Sequence, residues 1–369
     1  MPFFNREEDI KRIKAVLSGE PNLVYFVYGP INSGKTSLLM KVFEELPEEY
    51  VAFYVNFRWR QVSSVDDLIK VLFEVRFEEE KKAVKEFIKW VLKEALNTGR
   101  KALERFKGIP ISEGLFKILF RNSEKIENVF RYLERVFEEI RNEGYQPVLV
   151  FDEMQTVKDV INAAGRSVLA GLFNFLVGMS KEKHLCHCLC TTSDCLFIEN
   201  VYSNARLEGR AEYILVDDLE KNKAFEVYEA FGFEDKPLVW DYIGGKLGDM
   251  IRLFENKKQG YSEKEALERM LQDATSKLRD FLEAVEEGEK GEIDVKEIKE
   301  ALVKVSQGEI MNKEIRRKVR HFLVEENILF YNPVKGTVRA QSQLTHKAIV
   351  KLVTDEKHYE SSICDTRVR

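Results

Sequence analysis

The sequence predicts an α/β fold: a mostly parallel sheet flanked by helices, then a helical segment, then a helix-and-hairpin ending. The apolar runs Leu23–Tyr28, Val51–Phe57 and Pro147–Phe151 are continuous, as in strands buried on both faces. Segments with helical spacing of Leu, Val and Phe separate them. The segment Gly29-Pro30-Ile31-Asn32-Ser33-Gly34-Lys35-Thr36 fits G-x-x-x-x-G-K-[ST] and lies between a strand-like and a helix-like run.

The first strand, Leu23–Tyr28, leads into that loop, and the run from Ser37 to Phe43 leads out as a helix. The glycines let backbone N–H groups curl around phosphate oxygens, and the helix points its positive end at the same anion. Lys35 can then reach the β/γ-phosphates, the Thr36 hydroxyl can ligate Mg²⁺, and Ser37 completes the binding segment. A chance match on a glycine turn would not come with both a strand before it and a helix after it.

The second strand is Val51–Phe57, and from Val65 to about Asn142 the pattern turns helical, broken near its middle by Gly108-Ile109-Pro110. That stretch exceeds a simple crossover and reads as a helical insertion. The third strand, Pro147–Phe151, ends in Asp152-Glu153. Hydrolysis needs a carboxylate to hold metal and a group to activate water. Asp152, at the strand's C-terminal end, can hold Mg²⁺ with Thr36, and Glu153, on the other side of the pleat, can activate water. A strand merely ending in solvated acids would look the same without the phosphate loop.

A fourth strand, about Leu185–Thr191, and a fifth, Tyr213–Val216, complete the sheet. Thr192 and Ser193 at the fourth strand's tip are candidates to sense a γ-phosphate, although Ser and Asp also favour turns and caps there. Arg210, before the fifth strand, is a candidate for a terminal phosphate in its own or a neighbouring subunit, or else a surface ion-pair residue. His184-Leu185-Cys186-His187-Cys188-Leu189-Cys190 resembles a metal site, but as a strand it spaces the sulfurs about 6.5–7 Å apart, too far for one tetrahedral zinc. Packed core cysteines account for it better.

Beyond Leu219 strand signals fade. Lys221–Phe231 and Glu263–Glu287 read as amphipathic helices, and the charged, Gly-broken run 287–292 reads as a linker. A helix around Lys313–Glu325, strands Ile328–Tyr331 and Thr337–Gln341 around a Pro/Gly turn, and a last helix from about Thr345 outline a winged helix. The expected domains are therefore a core over 1–219 with an insertion at about 65–142, a helical domain over 220–290, which the resemblance described below makes a lid, and a winged helix over 291–369. The basic run Lys313–His321 makes duplex DNA a candidate partner through 311–341, though a solvated helix face explains it equally.

Composition sets limits. With 369 residues, 44% of them hydrophobic, the chain can bury the cores of two or three domains. Five cysteines make no disulfide scaffold, which agrees with a reducing compartment. A net charge of −5 argues against a chain coated in nucleic acid but allows one basic domain. No apolar run of membrane-spanning length and no secretory signal is visible, so the expectation is a cytoplasmic protein without membrane contact.

These segments together resemble the predominantly archaeal ATPase family, a STAND-class branch of phosphate-loop ATPases related to the AAA+ fold. The resemblance covers nearly the whole chain. Phe4-Asn5-Arg6-Glu7-Glu8-Asp9-Ile10 is similar to the family's F-x-R-E-x-E-I/L motif, which lies near the adenine and makes Arg6 a nucleotide candidate. The phosphate loop, Asp152-Glu153, Gly209-Arg210 and the ending Leu323–Tyr331 match in order. Tyr242-Ile243-Gly244-Gly245-Lys246-Leu247-Gly248 matches a lid turn of the related proteins, with Leu247 where they carry a base-contacting proline. The resemblance implies a core, lid and winged helix repacked by ATP, slow turnover and a protein partner. ATP over GTP rests on it, since no guanine-reading N-K-x-D stands at a strand end. Oligomeric state is left open.

Overall fold

The computed structural model describes residues 6–59, 64–76, 89, 108–113, 116, 125–157, 166–291 and 293–367. The chain divides into two compact units, Met1–Tyr28 with Lys35–Leu215, and Gly29–Gly34 with Val216–Arg369.

The first unit is a five-stranded parallel sheet with strand order β2-β5-β6-β1-β7. Its strands are β1 (Val24–Tyr28), β2 (Tyr50–Asn56), β5 (Gln146–Asp152), β6 (His187–Thr192) and β7 (Ala211–Leu215). All are apolar where neighbours cover both faces, and β6 is buried throughout. Register aligns their C-terminal ends: Tyr28 lies opposite Thr192, and Asn56 opposite Asp152. Functional side chains at those ends therefore converge on one edge of the sheet, where parallel α/β folds place ligands.

Helix Lys125–Asn142 covers the sheet with Val129, Leu133, Val136, Phe137 and Ile140, which recur at three- and four-residue spacing. Phe26 packs edge-on to Phe173, with ring centroids 6.2 Å apart, and stacks on Tyr213 at 5.7 Å. Cys186, Cys188 and Cys190 are fully buried in this core, and burial pushes the thiols of Cys186 and Cys190 up.

The expected helical insertion is corrected in part. Helix Val65–Leu72, capped by the Ser64 side chain accepting from Asp67 N–H, ends in a strand, β3 (Phe73–Arg76). It pairs in parallel with β4 (Ile109–Ser112). Phe73, Val75, Ile109 and Ile111 carry strand propensity, but runs of four are too short to override the surrounding helical period. Pro110, read as a breaker, is tolerated because a two-stranded ribbon has only edges. The expected helices over 77–88, 90–107 and 117–124 lie outside the described residues.

The second unit opens with helices Lys221–Ala230, Lys236–Ile243, Leu247–Lys258 and Glu263–Glu286. The last begins at a reciprocal cap, Ser262 with Glu265. Helices Val295–Val305, Arg317–Glu325 and Gln343–Arg367 follow, with an antiparallel sheet in the order β8-β10-β9. Its strands are β8 (Ile310–Met311), β9 (Leu329–Asn332) and β10 (Thr337–Ala340). Gly336 N–H donates to Asn332 C=O at 2.8 Å and closes the β9–β10 turn. Among the described residues, no helix is long and apolar enough to cross a membrane.

Candidate functional site

In the first unit the site is organised around Asp152, whose side chain is only 1% exposed at the end of β5. Thr36, the second residue of helix Lys35–Glu44, donates its Oγ1 to Asp152 Oδ2 at 3.0 Å. Asn56 Nδ2 donates to the same oxygen at 3.2 Å and to the Tyr54 hydroxyl at 3.0 Å, and that hydroxyl also donates to Oδ2. Oδ1 accepts from the Thr191 hydroxyl and from Glu153 N–H, the latter at 3.1 Å. Burial, with the Asp152 charge second, raises the Tyr54 phenol far above its ordinary value, so it stays a neutral donor.

Glu153 sits at φ 59°, in the left-handed region that non-glycine residues rarely occupy. Its carboxylate meets Arg58 Nη2 at 3.2 Å and accepts from the Gln155 amide. Thr192 Oγ1 donates to Gln155 Oε1 at 2.7 Å, while Ser193 Oγ lies 3.5 Å from Gln155 Nε2. Thr192 and Glu153 are thus joined through Gln155.

Tyr54, Asn56, Thr191, Gln155 and Arg58 escaped the sequence reading. A polar pair two residues apart at the end of an apolar strand puts both side chains on one face, and that signal was available for Tyr54 and Asn56. Thr191 stands one residue before the candidate at that strand tip. Nothing in the sequence pointed to Gln155 or Arg58.

The phosphate loop joins β1 to helix Lys35–Glu44. Gly34 at φ 92° requires glycine, and a Cβ on Gly29 would stand 2.1 Å from Val216 C=O. Pro30 and Ser33 are buried and Asn32 is exposed. Lys35 is buried and Ser37 exposed at the helix start. Leu247 packs against the loop: its Cδ1 would be 3.0 Å from a Cβ on Gly34. Arg6 is buried and its Nη1 meets Asp9 Oδ2 at 3.1 Å. Phe4 and Asn5 lie outside the described residues.

Two candidate groups need correction. Arg210 precedes β7, and its C=O accepts from Val24 N–H at the start of β1. It therefore lies at the opposite end of the sheet from Tyr28, roughly 13 Å along the strand, so it does not serve a phosphate at the loop of its own chain. In the basic segment, Arg320 is buried, with its guanidinium over Tyr331 at 4.6 Å and Nη1 donating to Asn312 C=O at 3.0 Å. Arg316 pairs with Glu297 at 2.6 Å, and Arg316, Arg317 and Lys318 are exposed.

A parallel sheet, a glycine loop running from its first strand into a helix, and a hydroxyl–carboxylate pair at the helix head define an α/β phosphate-loop protein. Residues 3–253 match the family described as an ATPase domain predominantly from Archaea, and the chain belongs to that family. Residues 264–353 match the C-terminal domain of MJ1010-like uncharacterized ATP-binding proteins. An uncharacterized ATP-binding protein of Methanocaldococcus jannaschii is 40% identical over 368 residues, covering 96% of this chain and 97% of its own. One from Pyrococcus abyssi is 37% identical over 358 residues, covering 95% and 98%. Among solved structures, a Walker-type ATPase of Pyrococcus abyssi superposes with a TM-score of 0.61 at 15% identity, covering 94% of this chain and 96% of that one.

Proposed function

We propose that this protein is a Mg²⁺-dependent ATPase acting as a molecular switch. The observation that carries the reading is the Thr36–Asp152 pair, a hydroxyl at the head of the post-loop helix bonded to a buried carboxylate. Both are hard oxygen donors, the set Mg²⁺ prefers, so the residues fit the ion and Thr36 with Asp152 would hold it. Bound there, it would supply positive charge against the phosphate oxygens.

Lys35 and the N–H groups from Asn32 to Thr36 bind the β/γ-phosphates. Glu153 takes the proton of the attacking water, its carboxylate aimed by Arg58 and Gln155. Thr192, through Gln155, reports on the γ-phosphate, and Ser193 stands beside it. Arg210 acts only toward a neighbouring copy, if copies associate. The base is adenine, as the names of the relatives suggest, with Arg6 near it. Turnover shifts the packing of the lid and winged-helix regions, by no more than the nucleotide's differential affinity for two states.

Phosphate release from ATP by the wild type and Glu153→Gln, with and without duplex DNA, tests this. The expected result is slow release without DNA, cut by roughly a hundredfold in the variant while ATP still binds. Release unchanged in Glu153→Gln removes that residue from the chemistry, and ATP binding without release in either form leaves a binding module. The exposed Arg317, Lys318 and Lys335 favour a second reading, a DNA-associated ATPase. Strong stimulation by duplex, steeply salt-dependent and lost on neutralising those three, selects it.

A further inference from the structure

Within the second unit, a chain of polar contacts, half-exposed at Arg339 and Asp217 and buried at Lys246, runs from the C-terminal sheet to the phosphate loop. Arg339 of β10 lies over the Phe330 ring at 5.1 Å and donates to Asp217 Oδ1. That same oxygen accepts Asp218 N–H at 2.7 Å. Asp218 Oδ1 is 3.2 Å from Lys246 Nζ, and Nζ donates to Ile31 C=O at 3.1 Å. The Lys246 side chain is 6% exposed. Leu219 N–H donates to Gly245 C=O at 2.9 Å, which fixes the backbone on either side of the pair.

The last contact matters because of what a peptide plane does. In a trans peptide the C=O of one residue and the N–H of the next point in opposite directions. Holding Ile31 C=O therefore also sets the direction of Asn32 N–H, one of the donors the loop offers to phosphate. Asn32 is at φ 60°, in the left-handed region that Asn tolerates better than other non-glycine residues. The buried ammonium on the preceding carbonyl holds the peptide plane from which that turn starts.

We infer that Lys246 is a positioning residue for phosphate binding. It pins the Ile31–Asn32 peptide in its binding orientation, Asp218 holds Lys246, and Arg339 with Asp217 extends the support to the C-terminal sheet. The loop and that sheet are thereby joined through hydrogen bonds and the Lys246–Asp218 ion pair, and whatever moves β10 changes nucleotide affinity. The inference rests on the reading that the loop binds nucleotide phosphates.

Calorimetric titration of the full chain with ATP and, separately, with inorganic triphosphate tests it. Lys246→Gln is expected to weaken both ligands equally, by about tenfold, the size of one lost hydrogen bond to a charged group. Lys246→Arg keeps the charge beside Asp218 but misplaces the donor, so it folds and loses part of that affinity. Arg339→Gln, at a half-exposed site, should weaken both by about threefold, and Lys246→Gln with Arg339→Gln should lose no more than Lys246→Gln alone. Folded Lys246 variants that bind both ligands as the wild type does overturn the positioning role. Losses that simply multiply overturn the link to β10. If the wild type binds neither ligand, the phosphate-loop reading itself fails, and this inference with it.

Discussion

The molecule buries carboxylates in two opposite ways. In the first unit Asp152 accepts from five donors, the side chains of Thr36, Tyr54, Asn56 and Thr191 and the N–H of Glu153. In the second unit Asp218 and Asp249 share the influence of one lysine, Lys246, which lowers both, while Asp218 raises Asp249 and Asp217 raises Asp218. Asp249 Oδ2 is buried without a hydrogen-bond partner among the described residues. Burial pushes Asp249 up to about 6 despite Lys246, and burial likewise raises Asp218. A carboxylate that accepts from five donors is fixed in place, and the Thr36 hydroxyl is the donor that would turn away from it if a cation were bound between them. Two buried carboxylates offset only through nearby cations, Lys246 shared and Arg339 and Arg252 one each, are costly to keep and lose most when a cation is removed.

The largest expected effect comes from breaking the saturated site. Asp152→Ala leaves buried Tyr54, Asn56 and Thr191 without their acceptor. Each stranded group costs about 1–3 kcal/mol, and since they share one network the total should be roughly 3–5 kcal/mol. Urea unfolding at unchanged m-value measures it. A loss below about 1 kcal/mol would mean that water reaches these groups and that the site is not rigid.

Acidity separates the two regions next. Asp249 has a folded pKa of about 6 against 3.8, so the native state holds more protons between those values and stability falls as pH rises through them. His187, buried on β6 beside Arg141, is pushed down to about 4 from 6.5, burial being the larger cause. Here the unfolded state holds more protons, so stability present above pH 6.5 is lost as pH falls toward 4. Each contributes roughly 3 kcal/mol across its window, with opposite sign, and over pH 4–6 they offset. Thermal midpoints against pH should be nearly level there for the wild type. Asp249→Asn should leave a curve that falls on acidification, and His187→Gln one that rises. Parallel curves for both variants would remove the contrast.

The nucleotide half of this architecture was legible because it is local. Gly29–Thr36 is contiguous, and Asp152-Glu153 ends an apolar run, so neighbouring residues carry both signals. What escaped was non-local. Tyr54 and Asn56 reach Asp152 across 98 and 96 residues of sequence, and only the β2–β5 register puts Asn56 opposite it, with Tyr54 two residues back on the same face. Arg210 was misplaced for the same reason: its distance along the chain from a strand says nothing about which end of a parallel sheet holds the loop. Arg320 looked like part of a basic face, yet its guanidinium stacks on Tyr331, a residue of the next strand. The short β3 and β4 failed differently, since four residues cannot establish a period against helical flanks.

The smallest effect tests the comparison most directly. Tyr54→Phe removes one donor from a carboxylate that keeps four others and leaves no polar group of its own behind. The phenyl ring fills the same space, so no cavity term arises. The net cost should be only about 1 kcal/mol, the value of one replaced hydrogen bond. Phosphate release should fall less than it does in any Asp152 variant, and the magnesium concentration giving half-maximal rate should rise, because the remaining donors hold the carboxylate less narrowly. The maximal rate at saturating magnesium should stay close to that of the wild type, which a merely destabilised core would not explain. Asn56 bridges Tyr54 and Asp152, so a Tyr54→Phe cost near that of Asp152→Ala would mean that the network fails as one piece. In that case Asp152 is no better buffered against losing a partner than the pair that depends on Lys246.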